Sequence, residues 1–66
     1  MHSMPPKFSL MTKVRVHYEN GPLEGYVIEI KDAGGRWFYK VSHPDTEKPG
    51  GSWDNLAPEE WLEEVK

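Results

Sequence analysis

WDNLAPEEWL, residues 53–62, is the stretch that decides the fold class of this chain of 66 residues. Three runs with the composition of β-strands precede it, and the last of them ends near Ser42. The stretch itself holds a Trp-Asp pair, a Pro-Glu turn and an apolar closing segment. Three strands, a fourth short strand and a closing segment are the order of a small antiparallel β-barrel.

Each of the three earlier runs carries a strand signal. Residues 12–18 alternate strictly between polar and apolar side chains, which predicts a half-buried strand. Residues 23–31 predict a second strand, apolar on both faces at its centre, and Gly25 within it indicates a bend. The turn at 32–35 leads to a third alternating strand at 36–42. We expect the core to contain Val14, Val16, Val27, Ile30, Tyr39, Val41 and Leu62.

The end of the chain allows two interpretations. Pro58 suits the first position of a helical turn, and the two Glu after it suit the positive end of that turn. One interpretation is a tight turn at 58–62 followed by a short closing strand at 63–66. The other is a single helix over 58–66. We favour the turn and strand because they cover an edge of the sheet.

The predicted fold is therefore all-β: a small, strongly bent, five-stranded antiparallel barrel with one short helical turn near the C-terminus. Residues 1–11 contain Pro5-Pro6 and predict a flexible N-terminal arm. Residues 12–66 form a single small domain, near the lower size limit for folding alone. The polar segment 43–51, rich in Pro and Gly, predicts a mobile loop.

Composition narrows the functional class. The chain has no Cys, which excludes disulfides and thiolate sites, and no apolar run of about 18 residues, so no membrane partner is expected. Its net charge of −3 disfavours general nucleic-acid binding. The charge is unevenly distributed along the chain. Residues 1–42 hold six basic and four acidic side chains, whereas residues 43–66 hold two basic and seven acidic side chains. We expect an intracellular protein, a monomer or small homo-oligomer.

The sequence resembles the chromo-barrel domains, Tudor-like modules of chromatin-associated proteins. The resemblance covers roughly residues 6–65 and rests on Pro6-Lys7-Phe8, the strand at Val14–Val16, Gly21-Pro22-Leu23, and the run Trp53-Asp54-x-x-x-Pro58-Glu59-x-x-Leu62. It implies a small barrel of the Src-homology or Tudor type. We expect a location in the cytoplasm, or in the nucleus if the resemblance reflects shared function.

Some members of that family bind methylated lysine in an aromatic cage. The family often has a second Trp at the position of Leu56, and the loop 43–51 contains no aromatic residue where the family has a short Gly-Trp turn. His17 or Tyr18, and Tyr26, fall near cage positions. The resemblance thus implies an incomplete cage, and we expect no selective binding of trimethyl-lysine over lysine.

The sequence favours a non-enzymatic interaction module that binds a peptide or protein. Trp53 and Trp61 are candidates for a binding surface because Trp is enriched at interface hot spots, and the alternative is that both lie in the core. Phe38 between two cations gives the third strand an aromatic and basic face. The candidate ligand-binding residues are Tyr18, Tyr26, Arg36, Phe38, Lys40 and Trp53.

Three alternatives stay open. The first is a docking subunit that uses an acidic C-terminal face made of Glu59, Glu60, Glu63 and Glu64. The second is weak, salt-dependent binding of single-stranded nucleic acid. The third is an oligomeric enzyme with a shared central site. No catalytic residue, metal site or cofactor is predicted, because the His residues lack ligand spacing and no carboxylate has an indicated partner in a cleft.

Overall fold

The computed structural model describes residues 5–66, which form five β-strands and one 3-10 turn. The strands are β1 (Lys13–Tyr18), β2 (Gly21–Ala33), β3 (Arg36–Pro44), β4 (Ser52–Pro58) and β5 (Leu62–Glu64), and the 3-10 turn is Glu59–Trp61. All pairings are antiparallel, and the strand order is β4-β3-β2-β1-β5. The prediction of an all-β chain with five antiparallel strands and one short helical turn is confirmed.

The sheet has two edges, β4 and β5, and no pairing joins them within residues 5–66. Closure of the sheet into a barrel therefore stays a prediction. At the C-terminus the turn and strand are present, with the strand at Leu62–Glu64, and the alternative of a helix over 58–66 is wrong. Pairing of β5 with Val14, Arg15 and Val16 explains this outcome, because it satisfies backbone groups of β1 that a helix would leave free.

Two tight hairpins make β2 longer at both ends than the predicted 23–31. Tyr18 pairs with Gly21, so β2 begins before Pro22 and only two residues form the turn. Gly34 and Gly35 connect β2 to β3 with φ of 61° and 87°. Positive φ at both central residues is the geometry that matches the twist of a two-residue hairpin. The fourth strand, expected to be short from the Trp-Asp pair, continues to Pro58 because it pairs with β3 along its whole length.

The core lies on one face of the sheet. Its buried apolar residues are Phe8, Val14, Val16, Val27, Tyr39, Val41, Ala57 and Leu62. Six of the seven predicted core residues are among them, and the seventh, Ile30, is partly buried against them. Phe8 enters the core from the segment predicted as an arm, whereas Leu10 in the same segment is exposed.

β2 is the strand that bends. Its register against β3 shifts between Val27 and Glu29, which is a bulge. A Cβ at Gly25 would overlap the Ser42 carbonyl oxygen and lie 2.8 Å from the Nδ1 of His43. Gly25 therefore allows β3 and the His43 ring to approach β2 closely, as the sequence indicated.

One end of the core is closed by the chain itself. The Tyr39 hydroxyl accepts hydrogen bonds from the backbone N–H groups of Lys7 (2.9 Å) and Phe8 (3.3 Å) and donates to Glu59 Oε2 (2.6 Å). The Phe8 ring meets the Tyr39 ring edge-on at 5.5 Å. These contacts hold the segment before β1 against the 3-10 turn, and we call this region the Tyr39 end.

Candidate functional site

The opposite end of the same face carries a group of aromatic side chains, which we call the Tyr18 end. The ring of Tyr18 lies 5.4 Å from that of His43, 6.4 Å from that of Trp53 and 6.3 Å from that of Trp61. The His43 and Trp53 rings are 4.6 Å apart and tilted by 35°. The rings of His43, Trp53 and Trp61, which come from three different elements, therefore all contact the Tyr18 ring of a fourth.

Strand alternation explains how three of these rings reach the same face. Tyr18 follows Val14 and Val16 at a spacing of two, and both valines are buried. His43 follows Tyr39 and Val41 in the same way on β3, and Trp53 is its direct partner on β4. Trp61 is the last residue of the 3-10 turn, at the start of β5.

The ring contacts also indicate how strongly the sheet curves. Tyr18 lies on β1 and Trp53 on β4, with β2 and β3 between them. Neighbouring strands are about 4.8 Å apart, so in a flat sheet these two strands would be roughly 14 Å apart with their side chains parallel. Because the two rings meet, the sheet curls toward its core face.

His43 is the buried polar group of the Tyr18 end. It is 2% exposed, and its Nδ1 lies 2.9 Å from the Glu24 carbonyl oxygen. A carbonyl only accepts, so Nδ1 carries the proton and Nε2 of the neutral ring accepts from the Tyr18 hydroxyl at 2.7 Å. These two hydrogen bonds fix the orientation of the His43 ring on β3 and of the Tyr18 ring on β1.

A cavity of ≈ 610 Å³ opens beside these rings. Tyr18, Trp53 and Trp61 line it together with the β1–β2 turn. Trp53 is 41% exposed and Trp61 43% exposed, so neither is a core residue. The lining is completed by Glu19, Asn20, Gly21, Pro22, Leu23 and Asn55.

A second cavity of ≈ 430 Å³ also has Trp53 in its lining. Its other lining residues are Leu23, Glu24, His43, Pro44, Asp45, Thr46 and Glu47. Trp53 and Leu23 thus line both cavities, and residues with carboxylates border both of them. The electrostatic surroundings of the exposed rings favour a cation over an anion.

The predicted ligand-binding residues fall on two faces of the sheet. Tyr18 and Trp53 lie in the Tyr18 end. Tyr26, Phe38 and Lys40 alternate with buried residues, so they lie on the outer face. Tyr26 is 46% exposed.

The cations of that outer face have partners within the chain. Arg36 contacts Glu60, and its guanidinium lies 5.4 Å from the centre of the Phe38 ring. Lys40 lies 3.6 Å from Glu29. The aromatic and basic surface predicted on β3 is present, but it does not adjoin the aromatic cavity.

The acidic residues near the C-terminus are also largely engaged. Glu59 accepts from Tyr39 and from the Lys7 N–H (3.0 Å), and Glu60 contacts Arg36. A hydrogen bond with His17 lowers the pKa of the Glu63 carboxyl below its ordinary value. The acidic docking face of these residues and Glu64 stays a prediction, and its net field is reduced by these partners.

On the outer face of the sheet, a row of charged side chains joins β2, β1 and β5. Arg15 donates to Glu24 at 3.0 Å and lies 3.5 Å from Glu63. The hydrogen bond from Arg15 lowers the pKa of the Glu24 carboxyl. These groups are exposed, so we expect them to contribute little to stability. Within residues 5–66, no three His, Asp or Glu side chains are grouped in a way that suits a metal ion.

Sequence reasoning did not place Trp61 or His43 among the ligand-binding residues. Trp61 was considered a candidate for a binding surface, but nothing in the sequence places it next to Tyr18, 43 residues away. His43 lies at a spacing of two from Val41 and four from Tyr39, so the alternation along β3 could have predicted its burial. Leu56 has the opposite parity from Trp53 on β4, so it faces away from the cavity.

No family model matches the chain, and comparisons with curated proteins and with solved structures find no match. The resemblance to chromo-barrel domains therefore stays a prediction. In the part of the chain that the structure describes, no helix is long and apolar enough to cross a membrane.

Proposed function

We propose that this chain is a non-enzymatic peptide-binding module that takes a cationic side chain of a partner protein into the cavity of the Tyr18 end. The observation that carries the proposal is the set of three rings, Tyr18, Trp53 and Trp61, that line one open cavity. In so small a domain, exposing two Trp rings at one cavity leaves apolar surface that a ligand would bury.

The chemistry of the cavity favours a lysine or arginine side chain. Ring faces attract a cation by about 0.5–2 kcal/mol per good contact. Glu19 lies in the rim and has no ion-pair partner within residues 5–66, so its charge is available to a ligand. The alkyl part of a lysine or arginine would cover the exposed ring surface, and its charged end would lie near the carboxylate.

The cavity is open, and polar side chains border it, so a bound ammonium group would keep part of its hydration. A strong preference for a methylated ammonium requires fuller desolvation against the rings. We therefore keep the expectation that trimethyl-lysine is not preferred over lysine by tenfold, which corresponds to about 1.4 kcal/mol.

The proposal includes a barrel of the chromo-barrel or Tudor type. The curl of the sheet supports it, since residues of β1, β3 and β4 contact each other through their rings. So does the position of Trp61, which lies beside edge strand β5 and lines the same cavity as Trp53 of edge strand β4. The two edges of the sheet thus approach the same cavity.

The proposal is tested with two capped octapeptides that differ only at one central residue, lysine in one and the neutral isostere norleucine in the other. Binding is followed by Trp fluorescence and by amide chemical shifts. We expect the lysine peptide to bind and to shift Tyr18, Trp53 and Trp61. Equal binding of both peptides would show that the cation is not what the cavity recognises.

Variants locate the binding. Trp53→Ala should weaken binding of the lysine peptide by about tenfold, since it removes a ring wall worth about 1–2 kcal/mol. Tyr26→Ala is the matched control, because Tyr26 is similarly exposed but lies on the outer face. If Tyr26→Ala weakens binding and Trp53→Ala does not, the site is the outer face and this proposal is wrong.

A further inference from the structure

The edge of β4 is open along most of its length. β4 pairs with β3 on one side, and its register there is regular from Ser52 to Pro58. Residues 52–56 are all exposed, so no part of the described chain covers this edge. An uncovered edge strand presents a row of backbone donors and acceptors to another chain.

The register shows which of these groups are free. The Asp45 N–H donates to the Gly51 carbonyl at 2.9 Å, next to the pair Pro44 and Ser52. Hydrogen-bonded pairs recur at every second position of an antiparallel ladder. The pairs bonded to β3 are therefore those of residues 53, 55 and 57. The N–H and C=O groups of Ser52, Asp54 and Leu56 point away from β3.

The two prolines of this ladder agree with that assignment. Pro44 and Pro58 both occupy positions of the same parity as Ser52, Asp54 and Leu56. A proline has no N–H to donate, so it is tolerated where the ladder needs none. Residues 52–57 contain no Lys, no Pro and no bulge, and Asp54 is the one charged side chain on this part of the edge.

The free edge adjoins the aromatic cavity. Trp53 and Asn55 of β4 line the cavity, and Trp61 lines it from beside β5. A strand added to β4 would place every second side chain on the face of Trp53 and Asn55. One side chain of such a strand would therefore lie at the cavity, while its backbone pairs with Asp54 and Leu56.

We propose that the partner of this module is an extended basic peptide that adds a sixth strand to the free edge of β4 and directs one cationic side chain into the aromatic cavity. The cationic part of this inference rests on the proposed function above. The strand pairing rests only on the open edge and its register.

Charge argues for a basic peptide over a second copy of the chain as the occupant. Each copy has a net charge of −3, and residues 43–66 hold seven acidic and two basic side chains. Pairing two β4 edges would bring Asp54 and its neighbours close to the same residues of the partner. A basic peptide meets the same surface with opposite charge.

The test uses a capped heptapeptide of alternating threonine and valine with one central lysine, and two isomers methylated at backbone nitrogens. One isomer carries the methyl group on the lysine nitrogen, and the other carries it on the nitrogen of the next residue. Residues of an added strand point their N–H groups alternately toward and away from β4. We expect one isomer to bind like the parent and the other to bind at least about tenfold more weakly.

The protein side is read by amide hydrogen exchange and by substitution. On binding, the Asp54 and Leu56 amides should exchange at least about tenfold more slowly, whereas those of Trp53 and Asn55 are already bonded to β3. Leu56→Pro removes an N–H that only the added strand uses, so it should weaken peptide binding by about tenfold and keep the fold. Leu56→Ala, which retains the N–H, should bind within about twofold of the parent chain.

The outcomes separate this inference from the proposed function. Equal binding of both isomers, with shifts at the rings and none in the exchange of Asp54 and Leu56, would overturn strand addition and leave the cation site in place. Protection of Asp54 and Leu56 together with unchanged binding by Trp53→Ala would support strand addition and overturn the cation site. Protection that grows with protein concentration in the absence of peptide would make a second copy the occupant and overturn the choice of a basic peptide.

Discussion

The two ends of the core face each contain a hydrogen-bonded tyrosine, but one end is closed by the chain and the other is open to solvent. Tyr39 and Tyr18 each hydrogen-bond through the hydroxyl group to residues of other elements. At the Tyr39 end the chain supplies Phe8 and two backbone N–H groups, and the region is closed. At the Tyr18 end, Trp53 and Trp61 remain exposed around an open cavity.

This difference shows which aromatic residues serve stability and which are available for binding. His43 lies four residues after Tyr39 on β3, so the two ends are roughly 13 Å apart on one continuous face. An aromatic side chain covered by the chain contributes its burial to folding. An exposed one contributes little to folding and presents its surface to a partner.

The largest expected difference concerns Phe8 and Trp53. Phe8→Ala removes a ring that is 6% exposed and should lower the free energy of unfolding by about 3–5 kcal/mol. Trp53→Ala removes a ring that is 41% exposed and should lower it by about 2 kcal/mol, in proportion to the area that the ring buries. Urea denaturation followed by circular dichroism measures both. Similar losses for the two variants would mean that Trp53 supports the fold as Phe8 does.

Gly25 tests whether the close approach of β2 and β3 builds the Tyr18 end. Gly25→Ala places a Cβ against Ser42 and His43 and should cost about 2–3 kcal/mol, with displaced resonances for His43 and Tyr18. Gly34→Ala is the control. It meets no neighbouring atom but has a φ of 61°, so it should cost about 1–2 kcal/mol and leave the Tyr18 end unchanged. Unshifted His43 resonances in Gly25→Ala would contradict this role.

Removing each tyrosine hydroxyl compares the two ends directly. Tyr39→Phe leaves the buried Phe8 N–H without its acceptor and should cost about 1–3 kcal/mol, whereas the Lys7 N–H and Glu59 each lose one bond but keep the bond to each other. Tyr18→Phe leaves only the Nε2 of His43 without a donor and should cost about 1 kcal/mol. The same denaturation curves give both values. A reversed order would show that the Tyr18 end is the more constrained of the two.

The remaining effect is a pH dependence confined to strongly alkaline solution. Burial, followed by the hydrogen bond to Glu59, raises the pKa of Tyr39 to about 12 from the ordinary value of 10.0. Because the folded state holds the proton more tightly, this contribution to stability is complete below pH 10 and is lost as the pH rises toward 12. Ultraviolet absorbance of tyrosinate follows the titration. Tyr39→Phe should remove the late step, and a late step that persists would belong to another tyrosine.

The sequence by itself determined the strands and the closing turn. Alternation in residues 12–18 and 36–42 predicted two strands and half of the buried core residues, and Gly25 within residues 23–31 marked the bend. The Pro-Glu signal at Pro58 located the 3-10 turn. These features are local, since each depends on residues within one turn or strand, and local patterns are readable without knowing the fold.

Only the tertiary structure decided which side chains form the candidate site. A period of two assigns residues to two faces, but it does not say which strands adjoin or how far the sheet curls. The contact between Tyr18 and Trp61 therefore had no signal in the sequence. Arg36, Phe38 and Lys40 were predicted to share a binding surface with Trp53, but they lie on the outer face of the sheet. The open edge of β4 was likewise invisible in the sequence, because an edge is defined by the pairing of all five strands.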